Sequence, residues 1–359
     1  MNATRTVGLD DTDRLIAADT EGLLRAASMA GAQVRATAAA VSEGALDEVA
    51  DGDRPRTVIW VSGRGTAETA GAMLAATLGG SAAAPIVLSA ETPPWIGALD
   101  LLIVAGDDPS DPALVGAAAT AVRRGARVVV AAPYDGPLRD ATAGRAAVLE
   151  PRLWVPEEFG LCRYLAVGLA TVAAVDSGLR VDLSALADDL DAEAFRNSAG
   201  RESFTNPAKA LAERMSGQQV TLAGDCAGTL ALARHGGVAM LRIAHRAVAA
   251  TGLADALVAL RAGSADPVSS LFHDEQIDGP QPERLRVLAL TLHAERAVVA
   301  SRVAGRYGVE LVGVSDVPDV PDAAAGSAQP VDAGRGERQL AVLAVRLEMA
   351  AVYERLVRG

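Results

Sequence analysis

The turn Ser62-Gly63-Arg64-Gly65-Thr66 follows an apolar run and precedes a helical one. A strand–glycine–helix junction presents backbone N–H groups at the positive end of a helix dipole, where an anion can be held. Arg64 adds charge there, and Thr66 and Thr69 add hydroxyls. The plain alternative is a tight turn between a strand and a helix. The turn has neither Gly-Lys-Ser/Thr nor GxGxxG spacing, so it is not a P-loop or a dinucleotide fingerprint. A second stretch, Gly106-Asp107-Asp108-Pro109-Ser110-Asp111-Pro112, ends another apolar run. Open α/β sheets place ligands at the carboxyl ends of their strands. Three carboxylates at that place repel phosphate and suit a cation or an ammonium group. Alternatively Asp111 caps a helix that begins at Pro112, with Asp107 and Asp108 solvated.

The histidines are His235, His245, His273 and His293. The pattern puts His235 and His245 on one helix, ten residues apart, so they do not share the face a metal pair needs. No metal site is expected. His273 lies in an irregular stretch beside Asp274 and Glu275. It is an acid/base candidate, or an exposed loop histidine. His293 falls on a predicted strand. No GxSxG elbow is present. Lys209 is the single lysine, so any Schiff-base chemistry would have to use it. Cys162 and Cys226 make no disulfide framework and read as buried small hydrophobes.

Elements that could position these residues follow from the apolar pattern. Residues 1–55 read as a helical segment, with Leu9, Ile16, Leu23, Leu24 and Met29 at roughly helical spacing. Residues 56–150 alternate strands (Thr57 to Val61, Pro85 to Ala90, Asp100 to Gly106, Arg127 to Ala132) with helices, one of them Ala113 to Arg123. That alternation indicates a parallel α/β layer. Residues 151–200 form a helical connection, with a helix from Leu161 to Val175 and an acidic, exposed helical stretch, DLSALADDLDAEAF. Residues 201–359 hold a second α/β block. In it, QQVTLAGD, RLRVLALTL and VELVGVS are strands, and the run from Cys226 to Ala250 is one helix with a Gly236-Gly237 interruption. An amphipathic helix closes the chain. The two blocks could be diverged copies of one unit.

Composition bounds the function. The chain has 359 residues, enough for two domains. Only 3% are aromatic, so Ala, Val and Leu build the core and helices pack close to sheets. A formal charge of −12 argues against nucleic acid as a partner. No apolar run reaches the ~18 residues of a membrane span, and the N-terminus has no signal pattern. A cytoplasmic protein with no membrane partner and no cofactor is expected.

The order SGRGTAETAG, LIVAGDDPSDPAL, VRRGARVVV, VPEEFGLCR, NPAKALAERMSGQQVTLAGD, FHDEQIDG resembles sugar isomerase (SIS) domain proteins over about Asp10 to Tyr353. Among these it looks most like the bifunctional phosphoglucose/phosphomannose isomerases. The resemblance implies an α/β fold of two doubly wound, flavodoxin-like domains, each with a five-stranded parallel sheet, plus N- and C-terminal helices. It also implies a homodimer and a sugar or sugar-phosphate ligand. Gly63, Arg64, Gly65 and Thr66 then stand where the family's first phosphate loop lies, without its serine. Asp108, Ser110 and Asp111 fall in the second loop, where Gly106, Asp108 and Asp111 take the places of hydroxyl residues. Arg163 matches the arginine that stabilises a cis-enediolate, and His273 matches the histidine that opens the sugar ring. His245 falls where the family has its glutamate base. The implied activity is aldose–ketose isomerisation of glucose, mannose and fructose 6-phosphates. These departures leave a second expectation open, a catalytically degenerate protein that senses a sugar ligand or regulates a sugar-phosphate enzyme. The apolar faces of the C-terminal helix add to the expectation of a homodimer, unless that helix docks on its own chain.

Overall fold

Alternating apolar runs and Ala-rich helices build two parallel sheets. The computed structural model describes residues 7–217, 219–263, 285–316 and 335–358. Short helices α1 (Thr12–Ala18), α2 (Leu23–Ala27), α3 (Ala30–Ser42) and α4 (Asp47–Ala50) come first. Then follow β1 (Thr57–Ser62), α5 (Thr66–Leu78), β2 (Ile86–Ser89), β3 (Asp100–Ala105), α6 (Pro112–Arg123), β4 (Arg127–Ala131), α7 (Gly136–Thr142) and β5 (Ala147–Val148). These strands form one sheet in the order β2-β1-β3-β4-β5, with every pairing parallel. Helices α8 (Leu161–Val175) and α9 (Leu183–Arg196) complete this part.

The second half contains α10 (Pro207–Met215), β6 (Gln219–Gly224), α11 (Ala227–Arg242), β7 (Ala249–Gly252), α12 (Leu253–Gly263), β8 (Leu285–Leu290), α13 (Arg296–Val303), β9 (Val309–Val312) and α14 (Gly336–Arg358). Its parallel sheet runs β7-β6-β8-β9. That is the order of the first sheet without its last strand, so the fold is a tandem of two doubly wound α/β layers. Among the described residues the second sheet has four strands rather than the expected five.

The chain divides into two compact units. One holds Glu21–Arg196 with Gly336–Val345, and so carries the first sheet. The other holds residues 1–20, Asn197–Arg335 and Arg346–Gly359, and carries the second. In the first unit, one sheet face packs Ile59, Val61, Leu102, Val104, Val128 and Val130 against Leu114, Ala118 and Ala121 of α6. Strands this apolar on both faces belong to a parallel sheet covered by helices. Trp60 is fully buried and donates to Ala67 O at 3.1 Å. An added Cβ at Gly71 would lie 2.5 Å from its indole, so a glycine is what lets α5 come this close.

Three expectations change. The acidic stretch is helical, as α9, but it is not exposed along its length. Leu186, Ala187 and Leu190 are buried, and Arg35 of α3 pairs with Asp188 at 2.6 Å and with Asp191. The helix from Cys226 ends at Arg242, not Ala250, because His245 takes a left-handed φ of 53° and β7 follows. The C-terminal helix is not amphipathic: every residue from Gln339 to Glu354 is buried, the charged ones included. Its apolar faces are thus covered within one chain and lend no support to a homodimer.

Those buried charges are partnered inside the second unit. Arg346 donates to Gly313 O at 2.8 Å, and Tyr353 to Asn197 O at 2.6 Å. Lys209 Nζ donates to Ala199 O and Arg201 O at 2.8 and 2.7 Å, 5.5 Å from the Tyr353 ring centre. Burial pushes its pKa down. The chain's one lysine therefore acts as a structural clamp. Glu348 lies 2.8 Å from His235 Nε2, both almost wholly buried. Burial raises the Glu348 carboxyl above its ordinary range, while His235 pulls the other way; burial is the larger effect.

Two predictions follow from these contacts. A Cβ at Gly224 would sit 2.2 Å from Leu230 N and 2.4 Å from Thr229 C, both backbone atoms. Gly224→Ala is expected to cost about 2–3 kcal/mol by urea unfolding, against about 0.5 kcal/mol or less for Gly80→Ala, which meets nothing. For Glu348, the unfolded carboxyl ionises near its ordinary value of about 4.3, while burial raises the folded one above it. Between the two values the folded state binds more protons, so stability falls as pH rises through that window. Glu348→Gln has no such group, and its urea midpoint should decline less steeply from pH 5 to 8; an equal decline counts against a raised carboxyl.

Candidate functional site

Helices that follow β1 and β3 leave from opposite faces of the first sheet, because the strand order reverses between these two neighbours. Such a reversal opens a crevice at the strands' carboxyl ends, and flavodoxin-like sheets bind ligands there. The sequence puts both candidate loops at this place. Gly63 N donates to Ala105 O at 2.8 Å and Gly106 N to Ala131 O at 3.3 Å, extending the ladder beyond β1 and β3. The loops touch: a Cβ built on Gly63 would lie 3.7 Å from Gly106 Cα and 3.8 Å from Asp111 Oδ2. Gly65 caps α5 with φ 88°, and no side chain satisfies the first N–H groups of that helix. Gly63, Gly65, Thr66 and Asp111 are thus brought together.

Their chemistry differs from the sequence expectation in specific ways. Thr66 is buried and its hydroxyl donates to Glu157 O at 3.1 Å, which pins the Glu157–Phe159 turn to the loop. Gln33 Nε2 fixes the same turn from behind, donating to Phe159 O at 2.9 Å. Arg64 is exposed. Asp108 Oδ1 accepts from Ser110 N at 2.8 Å, and Asp111 Oδ1 accepts from Ala113 N at 2.8 Å. Asp108 and Asp111 therefore shape their own turn. The helix cap at Asp111, with Pro112 at the first helical position, is the one expected.

Arg163 stands in the first turn of α8, which the pinned turn aims at the crevice. Its side chain is 8% exposed, and Nη2 donates to Asp107 Oδ1 at 3.1 Å. The guanidinium lies 4.0 Å from the centre of the Tyr164 ring. Arg163 Nη1 and the Tyr164 hydroxyl are both buried and without a hydrogen-bond partner among the described residues. Burial drives the Tyr164 phenol far upward, with Arg163 opposing and Asp107 adding to the rise, so the phenol stays protonated. Asp107 and Tyr164 join the candidate site by this geometry. The sequence marks Asp107 only as one of three loop carboxylates, and it carries no signal for Tyr164.

The histidines lie elsewhere. His245 follows α11 in the second unit. That helix starts at the carboxyl end of β6 and runs 16 residues, about 24 Å at 1.5 Å per residue, to the opposite edge of its sheet. Its Nε2 accepts from Arg355 Nη1 at 3.0 Å, which takes the lone pair a base would use. His293 is in the turn after β8, not on the strand. His273, with Asp274 and Glu275, lies outside the described residues. The loop after β6 is the second sheet's counterpart of the glycine turn, but its donors are spent. Cys226 and Thr229 form a capping box, and Asp225 pairs with Arg302. Cys226 is therefore a half-buried cap rather than a core residue, whereas Cys162 is buried. Among the described residues no cluster of three or more His, Cys, Asp or Glu could hold a metal, and no helix is long and apolar enough to cross a membrane.

No family model and no curated protein matches the sequence. Solved structures match the fold. Tagatose-6-phosphate ketose/aldose isomerase from Escherichia coli is 15% identical with a TM-score of 0.60, covering 99% of this chain and 96% of that one. The C-terminal domain of glucosamine-fructose-6-phosphate aminotransferase from Francisella tularensis is 12% identical with a TM-score of 0.61, covering 94% and 96%. This chain therefore has a tandem SIS-like α/β fold.

The unpartnered phenol gives a test of the site's geometry. Tyr164→Phe removes a buried hydroxyl that nothing satisfies, and should leave urea stability unchanged or raise it by up to about 1 kcal/mol. A loss of more than about 1 kcal/mol would mean that the hydroxyl is bonded.

Proposed function

We propose that this chain is an SIS-family protein that binds a carbohydrate derivative in the crevice at the carboxyl ends of β1 and β3. One observation carries the reading. The strand reversal brings the Gly63–Thr66 and Gly106–Asp111 loops into contact, beside a helix end without a side-chain cap and a buried arginine with an unspent N–H. Backbone N–H groups of this kind receive oxygens of a ligand. Both solved structures named above concern hexose 6-phosphates by their descriptions, which supports a sugar derivative as the ligand class.

The catalytic form of the reading is aldose–ketose isomerisation of a hexose 6-phosphate. A base takes the proton from C2 and returns it to C1 through a cis-enediol, so no atom is lost and no cofactor is consumed. Arg163 would stabilise the enediolate oxygen. His273 would open the ring. The base would be His245 or a carboxylate that the resemblance leaves unplaced, and the contact of His245 Nε2 with Arg355 favours the carboxylate.

The contact between Asp107 and Arg163 favours a second reading. A cation that stabilises a developing anion works best when no carboxylate already neutralises it. Here the guanidinium is paired before any ligand arrives. On that ground the chain binds a sugar without isomerising it, as a ligand sensor or a regulatory partner of a sugar-phosphate enzyme.

One experiment separates these forms. The protein is incubated in deuterated water with glucose, mannose and fructose 6-phosphates and followed by NMR. Deuterium at C2 that disappears in His273→Ala identifies an isomerase. No label, with a rise in melting temperature on adding a sugar, identifies the binder. No label and no thermal response to any sugar overturns the carbohydrate reading.

A further inference from the structure

Arg163 has two sides. Nη2 is used, donating to Asp107 Oδ1 at 3.1 Å. Nη1 is unused, although the side chain is 92% buried by the complement of its 8% exposure. The Tyr164 hydroxyl, on a residue with no exposed surface, makes no hydrogen bond within 3.5 Å among the described residues, yet it lies close enough to Asp107 and Arg163 for both to act on it. Leaving two buried donors unpaired is costly unless something else completes them. The Asp107 side chain is 36% exposed, so the cluster opens to solvent on its carboxylate side.

The charge of the cluster decides what can complete it. Arg163 contributes one positive charge and Asp107 one negative. Asp108 and Asp111 stand on the same loop. An anion approaching Arg163 Nη2 meets Asp107 already bonded there. A sugar hydroxyl meets no such obstacle. It accepts from Arg163 Nη1 or from the Tyr164 hydroxyl, and donates its own proton to the Asp107 carboxylate. One hydroxyl group can thus meet both needs without separating the ion pair.

We infer that Arg163, Tyr164 and Asp107 form a subsite for the neutral hydroxyl face of a ligand, and that Asp107 is the specificity-determining residue that bars anions from Arg163. The inference rests on the carbohydrate reading for the ligand's class, but the bar against anions is a property of the protein alone. Asp107 acts as an internal anion. It directs any phosphate of the ligand to another part of the crevice and leaves this corner for ring hydroxyls.

Inorganic sulfate is the probe, because its charge does not change across neutral pH. Sulfate is titrated into the full chain and its Asp107→Asn variant by calorimetry, with melting temperature as a second readout. The variant should bind sulfate at least tenfold more tightly than the natural protein. The gain should vanish in Asp107→Asn/Arg163→Gln and be absent in Asp51→Asn, an exposed carboxylate outside the loop. Asp107→Ser should show the same gain, which keeps the test decisive if the asparagine variant does not fold. Equal sulfate affinity in the natural protein and both Asp107 variants overturns the inference, as does a gain that survives loss of Arg163. The sugars of the labelling experiment are added in a parallel series. No thermal response to any of them in the natural protein, with the sulfate gain intact, removes the carbohydrate reading and the hydroxyl subsite while the bar against anions stands; a response that Tyr164→Phe keeps unchanged removes the tyrosine from the subsite.

Discussion

A parallel strand must hand the chain to a helix on one face of its sheet or the other, and β1 and β3 choose opposite faces. That reversal is the constraint from which the rest of the first unit follows. No helix can cover the carboxyl ends of two neighbours whose crossovers diverge, so a crevice remains there. Residues that end β1 and β3 are forced into it, and Gly63 and Gly106 come within van der Waals reach of each other. The turn at Glu157–Phe159 has no strand to hold it, and two long-range hydrogen bonds do so instead, from Gln33 and from Thr66. Those bonds fix where α8 begins and therefore where Arg163 points.

Arg163 shows how a buried cation is balanced at the end of a strand. A buried guanidinium needs a counter-charge, because desolvation of an unpaired ion is expensive. Two solutions exist at the end of a strand: a ligand anion, or a carboxylate from the protein. This chain has the second, in Asp107. The pairing gives the buried guanidinium its counter-charge from within the chain. It also explains why the acidic loop does not unfold the crevice, since Asp107, Asp108 and Asp111 are each bonded, to Arg163, Ser110 N and Ala113 N.

The legible parts of the fold are those that local pattern determines. The runs TVIWVS, DLLIVA and RVVVA are too apolar and β-branched to be anything but buried strands, and Asp111-Pro112 marks the start of α6 unambiguously. The rest depended on tertiary contact. A helix buried on all sides and an amphipathic one look alike when charges such as Arg346, Glu348 and Glu354 find partners inside, and so α14 was misjudged. The end of α11 was hidden because His245, not a glycine, takes the left-handed turn, and the residues beyond it keep a helical rhythm. The pairing of Asp107 with Arg163 spans 56 residues and belongs to no motif. The resemblance implies Asp108 and Asp111 as ligand residues, and only geometry distinguishes Asp107 as the carboxylate that faces the guanidinium.

The two sheets share a strand order, yet they have parted in how they finish their first helix. At β6 the capping box of Cys226 and Thr229 takes up the Thr229 N–H of α11 and the N–H groups of Asp225 and Cys226, and Asp225 is tied to Arg302. At β1 no side chain caps α5, and the loop's one buried hydroxyl is used to anchor a distant turn. A capped helix end has little left to offer a ligand, whereas an uncapped one leaves donors for it. Two sheets of like order with unequal caps therefore differ in the donors they leave: the α5 end keeps N–H groups without a side-chain cap, and the α11 end does not. Cys226 fits that division: its sulfur completes a cap where a ligand-binding loop would keep its donors free. Architecture alone could not separate the two halves, since their strand orders agree. The difference lies in a handful of polar side chains and in whether each already has a partner.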